Sequence, residues 1–285
     1  MMHELRLETP RSLAEASRIL KETGGKVIAG GTDVIPQMRD GRFEANTLID
    51  LSRLPDLDTI KEEGDFIVIG ALANYTSIRQ SQLLQETVPM LLEVAGLVGG
   101  LQTQNRGTIG GNVVNASPAG DTLPPLLALN AEVVLNNSDG ERTIPLSDFL
   151  QGPGQTAIAP HELLSEIRFQ KPPAGTKSTF LRLGNRRGMV ISIVSAATML
   201  LLDGGNKIEE VRIALGAVAP IPIRCPEAEA LLQGQVLTEA LIEQAAEMTV
   251  KAGSPIDDVR GTATYRQHGI KVLVRRGLLK LGGLR

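Results

Sequence analysis

Two glycine pairs stand out in this 285-residue chain, Ala29-Gly30-Gly31-Thr32-Asp33 and Thr108-Ile109-Gly110-Gly111-Asn112. A glycine pair removes two β-carbons, so consecutive N–H groups are able to converge on an anion, and the hydroxyls of Thr32 and Thr108 add donors beside them. One such pair is more often a plain tight turn. Two of them point to paired amide cradles, and so to a diphosphate. Neither run fits G-x-G-x-x-G, nor G-x-x-x-x-G-K followed by Ser or Thr, which removes the main support for a Rossmann fold or a P-loop.

Other chemistry is sparse. His3, His161 and His268 are dispersed without metal-ligand spacing, which favours surface positions. The single cysteine, Cys225, excludes an internal disulfide and cannot supply the thiolates of an iron–sulfur cluster or a structural zinc site. No Ser-His-Asp set or carboxylate pair emerges for acyl transfer or glycoside hydrolysis. Arg186-Arg187 either binds a phosphate or pairs with carboxylates across a domain or subunit interface, and the interface is favoured.

The elements around these residues read as α+β. Ser12 caps a helix that Gly24-Gly25 stops, and Lys26 to Ala29 is a strand feeding the first glycine pair. Leu48 to Leu51 and Phe66 to Gly70 read as strands, Thr76 to Arg79 opens a helix, and Pro89 to Val98 is apolar enough for a buried helix ending at Gly99-Gly100. Leu123 to Leu129 carries prolines in a first helical turn, where a missing N–H costs little. Ala131 to Leu135 and Glu166 to Phe169 are further strands. Lys171-Pro172-Pro173-Ala174-Gly175 is the best boundary, dividing the chain into 1–173 and 174–285. Beyond it, strands at Ser178 to Leu183, Ile191 to Leu202 and Val211 to Val218 precede helices at Pro226 to Leu232, Thr238 to Ala252 and Tyr265 to Leu281. Lys271, Arg275, Arg276 and Lys280 on the last helix read as its solvated face.

Composition narrows the partners. A net charge of −3 and only five Phe, two Tyr and no Trp leave no basic footprint or stacking platform for nucleic acid. No segment approaches the roughly 18 apolar residues of a membrane span, and no signal-peptide run opens the chain, so a cytoplasmic location without membrane insertion is expected.

Taken together, these stretches resemble the FAD-binding subunits of the molybdenum-containing hydroxylases, a family that includes xanthine dehydrogenase and aerobic carbon monoxide dehydrogenase. Ala29 to Val34 is similar to the family's first flavin loop, Gly107 to Asn112 to its second, and Asn115-Ala116-Ser117-Pro118-Ala119-Gly120-Asp121 to its third stretch. Phe180 to Ser195 resembles the motif that opens its C-terminal domain. The similarity runs nearly end to end. Phe149 to Gly154 and Ala219 to Cys225 look closest to stand-alone bacterial xanthine dehydrogenase FAD subunits.

The resemblance implies a two-part FAD-binding domain of the PCMH (vanillyl-alcohol oxidase-like) type over 1–173 and a small C-terminal domain of antiparallel sheet and helices over 174–285. It implies that Val27, Ile28, Ala29, Gly30, Gly31, Thr32, Asp33 and Val34, with Thr108, Ile109, Gly110, Gly111 and Asn112, wrap the pyrophosphate and ribose of FAD. Ser117 belongs with the third stretch, where Asp121 would hydrogen-bond near the flavin or ribitol. Leu164 would pack on the isoalloxazine. Arg182, where the family often has lysine, would offer positive charge to the reduced flavin. Duller roles stay open: Asp121 as the N-cap of the Leu123 helix, Leu164 as plain core, and Asp33 on ribose or loop hydroxyls.

Two departures from the family pattern matter: Gln104 replaces an arginine common in relatives, and Val98 replaces an aromatic ring that some relatives place against the flavin. The molybdenum cofactor and 2Fe–2S clusters would sit only on a large and a small partner subunit, with NAD or another acceptor receiving the electrons. A carbon monoxide dehydrogenase medium subunit, a self-sufficient flavin oxidase and a non-catalytic cofactor-handling or assembly protein are the alternatives.

Overall fold

The computed structural model describes residues 5–186 and 188–284, so His3 and Arg187 lie outside the described residues. At the N-terminus, strands Arg6–Glu8, Thr47–Asp50 and Lys26–Ile28 form a parallel sheet with Thr47–Asp50 in the middle. Helix Leu13–Thr23 covers it. The Ser12 hydroxyl accepts from the Glu15 amide at 3.1 Å, and Gly24 closes the helix in the left-handed region. Its buried Ala16, Ile19 and Leu20 pack with Ile49 and Leu51 into a small separate core. The first glycine pair leaves from the carboxyl end of Lys26–Ile28, the end at which parallel strands present backbone to ligands.

A second, antiparallel sheet has the order Ile60–Glu63, Phe66–Gly70, Leu163–Gln170, Glu132–Asn137, Gly140–Pro145. Its two edge strands are largely exposed and carry Lys61, Glu62, Glu63, Glu141 and Arg142, charges that discourage further pairing. Short helices between residues 75 and 128 cover one face, and the all-buried Leu123–Ala128 lies deepest. The C-terminal part is a four-stranded antiparallel sheet of Lys177–Leu183, Val194–Leu202, Ile208–Gly216 and Ile223–Arg224, backed by helices Pro226–Leu232, Glu239–Ala252 and Ala263–Gly282. Phe180, Ala197, Met199 and Ala214 of that sheet join the main core, so the two parts share apolar contact. Glu93 adds a polar link: its carboxylate accepts from the Phe180 amide at 2.6 Å and from Lys280 Nζ at 2.8 Å.

Several expectations need correction. The second glycine pair is not an open loop but the first turn of helix Ile109–Asn115, and a further helix spans Leu101–Arg106 just before it. Helix Pro89–Ala95 stops before Val98. The basic residues of the last helix are not simply solvated. Lys271 pairs with Glu243 and Glu247 at 2.7 Å, and Arg275 with Glu243 at 3.0 Å, which clamps that helix to Glu239–Ala252.

Glu162 gives the fold a pH dependence. Its buried carboxylate accepts from Arg142 Nε at 2.6 Å, from Arg142 Nη2 at 2.7 Å and from the Ala159 amide at 2.8 Å. The Arg142 hydrogen bonds hold its carboxyl below the usual glutamate range. A depressed folded-state value stabilises above the unfolded value and is lost as pH falls through the folded one. With Arg142 half exposed, Glu162→Gln is expected to lose about 1–2 kcal/mol at neutral pH. Denaturant melts of both proteins should converge as pH drops below about 4.

Candidate functional site

The structure brings the two glycine pairs together. A β-carbon on Gly30 would fall 1.8 Å from the Arg106 carbonyl oxygen and 3.1 Å from Gly107 Cα, so the first run lies directly on the peptide that enters the second. One on Gly107 would come within 3.4 Å of Thr32 Oγ1. Gln37 Nε2 adds a long contact to Asn115 Oδ1 at 3.5 Å.

The runs do different work. Gly31 takes φ +75°, which turns the chain out of the strand and into helix Val34–Arg39. The amides of Gly30, Gly31, Thr32, Asp33 and Val34 find no acceptor among the described residues, and together they form an anion-receptive nest. In the second run the Thr108 amide has no acceptor among the described residues, and the four that follow are taken. Ile109 donates to Ala73 O and Gly110 to Ala71 O, both at 2.9 Å, while Gly111 donates to Thr108 Oγ1 and Asn112 to Thr108 O, both at 3.1 Å. Gly110 is glycine because Ala71 is there, with backbone and Cβ within 3 Å of where a β-carbon would stand. The second run is thus built as a capped helix start, with Thr108 as its N-cap. Besides the Thr108 amide it leaves a side-chain atom free, the buried and unpartnered Asn112 Oδ1.

A cavity of about 660 Å³ opens beside the first run, a size typical of ligand sites. Its walls include Ile28, Gly30, Gly31, Ile35, Leu48 and Arg106, and Arg106 makes no ion pair among the described residues. Asp33 carries no capping bond, and burial raises its carboxyl above the usual aspartate range. Val27 packs against the small N-terminal core. In the sequence the one signal of Arg106 is its place immediately before Gly107-Thr108.

From Asn112 the polar atoms continue toward the C-terminal sheet. Ser117 builds the turn, accepting from the Ala119 amide through its hydroxyl and from Gly120 through its carbonyl. Asp121 follows. Its carboxylate, 8% exposed, accepts from Arg182 Nη1 at 2.7 Å and from the Ser192 hydroxyl at 2.5 Å. It does not cap the Leu123 helix, since Thr122 holds that position. Burial pushes the Asp121 carboxyl up, against the opposing pull of Ser192 and Arg182. The Arg182 side chain is 6% exposed and its Nη2 is buried without a hydrogen-bond partner.

Gln104 explains one departure. Its Nε2 donates to Gly96 O at 3.2 Å and to Val98 O at 3.1 Å, and its Oε1 accepts from Arg79 at 2.8 Å. It therefore pins the turn that carries the half-buried Val98, and Arg79 supplies a cation behind it. Leu164 is buried in the main core on strand Leu163–Gln170. Of the remaining candidates, His268 is exposed and Arg186 donates to Met189 O and makes no ion pair among the described residues. No cluster of metal-ligating side chains occurs among the described residues, nor any helix long and apolar enough to cross a membrane.

The free amides and the cavity fit an anionic ligand, while the orphaned atoms Asn112 Oδ1 and Arg182 Nη2 lie outside the residues that line that cavity. Comparison with known proteins agrees. The family described as "FAD binding domain in molybdopterin dehydrogenase" matches residues 3–172, and "CO dehydrogenase flavoprotein C-terminal domain" matches 179–281. The chain is 32% identical to the carbon monoxide dehydrogenase medium chain of Hydrogenophaga pseudoflava, covering 94% of each. It is 29% identical to the xanthine dehydrogenase FAD-binding subunit of Escherichia coli, covering 93% of this chain and 91% of that one. A structure of reconstituted CO dehydrogenase from Oligotropha carboxidovorans superposes with a TM-score of 0.94 at 31% identity, over 99% of this chain and 98% of that one. On these grounds the chain belongs to the FAD-binding subunits of the molybdenum hydroxylases.

Proposed function

We propose that this chain serves a xanthine dehydrogenase-like complex, taking electrons from 2Fe–2S clusters on a small partner subunit, downstream of a molybdenum-binding large subunit, and passing them to NAD or another acceptor. The observation that carries the cofactor site is the run of five unpartnered amides from Gly30 to Val34 beside the cavity. Bound there, FAD supplies a carrier able to accept electrons singly or in pairs.

The residues divide the task. The nest and the Thr32 hydroxyl hold the diphosphate, and Arg106 adds charge from the same cavity wall. Val27, Ile28 and Ala29 deliver the nest from its strand, and Asp33 serves ribose or loop hydroxyls. Thr108, Ile109, Gly110 and Gly111 fix the peptide on which Gly30 rests, while Asn112 Oδ1 accepts from the cofactor. Ser117 and Asp121 place Arg182, whose Nη2 meets the flavin. Val98 and Leu164 offer it aliphatic surface. No side-chain acid or base is required.

The division at residue 173 follows the Lys171–Gly175 break between strands Leu163–Gln170 and Lys177–Leu183, and a cytoplasmic location is part of the same proposal. Phe149 to Gly154 and Ala219 to Cys225 resemble stand-alone bacterial xanthine dehydrogenase FAD subunits, which favours a complex of that type, while the substrate itself would be bound by the molybdenum-carrying partner. A medium subunit of a carbon monoxide dehydrogenase is the second reading, favoured by the 32% identity to that medium chain. Adding xanthine anaerobically to the purified native complex should bleach the flavin absorbance within the mixing time. Bleaching by carbon monoxide alone would select the second reading. A complex purified without flavin would leave only an assembly role.

A further inference from the structure

We propose that Ser192 is a positioning residue that keeps Arg182 available to the flavin, and that Asp258, Arg260 and Arg266 lock it in place. The inference rests on the reading above, in which Arg182 faces the cofactor. A guanidinium and a carboxylate prefer a two-pronged contact, with two N–H groups on two oxygens. Here that fork is open. Arg182 Nη1 binds Asp121 Oδ2 at 2.7 Å, while the Ser192 hydroxyl donates to Asp121 Oδ1 at 2.5 Å and so fixes the orientation of the carboxylate. Arg182 Nη2 is consequently left buried and unpaired. An orphaned buried donor is costly, and in the reading above the flavin receives this one. Ser192 keeps the orphan by holding the carboxylate in the orientation that offers Arg182 one oxygen only.

Ser192 is itself wholly buried and held from behind. Its carbonyl accepts from Arg260 Nη1 at 3.3 Å. The next carbonyl, Ile193 O, accepts from Arg266 Nη1 at 3.2 Å, and the same nitrogen reaches Ala217 O at 2.7 Å. Asp258 joins the two arginines: Arg260 Nη2 and Arg266 Nη2 each lie 2.6 Å from its Oδ2, the second as a close ion pair without hydrogen-bond alignment. Two guanidinium groups thus grip consecutive carbonyls while one carboxylate holds both. Arg266 is 2% exposed in helix Ala263–Gly282, where an apolar side chain would serve packing alone as well or better. The cluster's hydrogen bonds converge on the short stretch that aims the Ser192 hydroxyl.

Removing that hydroxyl should let Arg182 close its fork on Asp121 and withdraw Nη2 from the flavin. In the native complex, Ser192→Ala should keep its FAD, yet spectroscopic redox titration should show about a tenfold shift of the equilibrium toward oxidised flavin, ~30 mV lower for a two-electron couple. Arg260→Met, at a partly exposed position, should move it in the same direction by less. Lys271→Met, on another face of the helix that carries Arg266, should not move it at all. A wild-type potential in Ser192→Ala, or an equal shift in Lys271→Met, overturns the proposal. If Ser192→Ala purifies without flavin, an unshifted Arg260→Met overturns it instead. Arg182→Met separates the two levels: if it alone shifts the potential, only the role of Ser192 fails, and if it does not, the placement of Arg182 at the flavin fails.

Discussion

Gly30→Ala is expected to strip the protein of FAD while leaving it folded. The added methyl would stand 1.8 Å from the Arg106 carbonyl oxygen and 2.6 Å from its carbonyl carbon, and neither backbone atom is able to rotate away. The first run must lift off the second, and the amides from Gly30 to Val34 swing with it. Losing two charge-assisted amide contacts at about 1.5 kcal/mol each weakens binding about a hundredfold. The flavin-to-protein absorbance ratio after gel filtration measures this directly, with circular dichroism confirming the fold. Gly31→Ala meets only the Ile28 and Ile35 side chains and the strain of a left-handed φ, about 1–2 kcal/mol, so it should retain far more flavin. Gly110→Ala presses on the Ala71 backbone inside the core and should lower the melting temperature whether or not flavin is present. Full flavin content in Gly30→Ala would remove the first run from the site.

That contrast marks how far the sequence reaches. Both glycine pairs are legible as places where backbone must come close, but what approaches is not. Gly30 makes room for a peptide 76 positions later in the chain, and Gly110 for Ala71, which are tertiary facts. Helix Ile109–Asn115 escapes a sequence reading because two glycines lower helix propensity, and its formation depends on Thr108 capping and on two carbonyls from residues 71 and 73. Helix Leu101–Arg106 is polar and short, with no apolar period to betray it. The edge strands Ile60–Glu63 and Gly140–Pro145 are hidden by charge, which is what an edge requires. By contrast, helices with a clear stripe and punctuation are readable to within a residue or two, as Ser12 with Gly24 and Pro226 to Leu232 show. Arg106, Ser192 and Arg260 belong to the site only through folding. No spacing ties Ser192 to Asp121, 71 residues earlier.

Arg182→Met tests the other end of the site. Removing one partner of a buried pair leaves the other charge unpaired, which costs about 3–5 kcal/mol. Asp121 would then keep only the Ser192 hydroxyl. Burial already raises its carboxyl above the usual aspartate range, and losing the guanidinium raises it further. A raised folded-state value reverses the sign found for Glu162. The neutral carboxyl is the form favoured in the fold, so the variant should regain stability as pH falls and lose it as pH rises through the raised value. Urea melts across pH should therefore show the gap to wild type narrowing in acid. Adding Asp121→Asn should restore much of the loss at neutral pH by removing the orphaned charge while an amide oxygen still accepts from Ser192. The flavin should not recover with it: the double variant remains harder to reduce than wild type, because the cation is still missing. A double variant with both stability and flavin potential at wild-type values would reduce Asp121 and Arg182 to an ordinary buried ion pair.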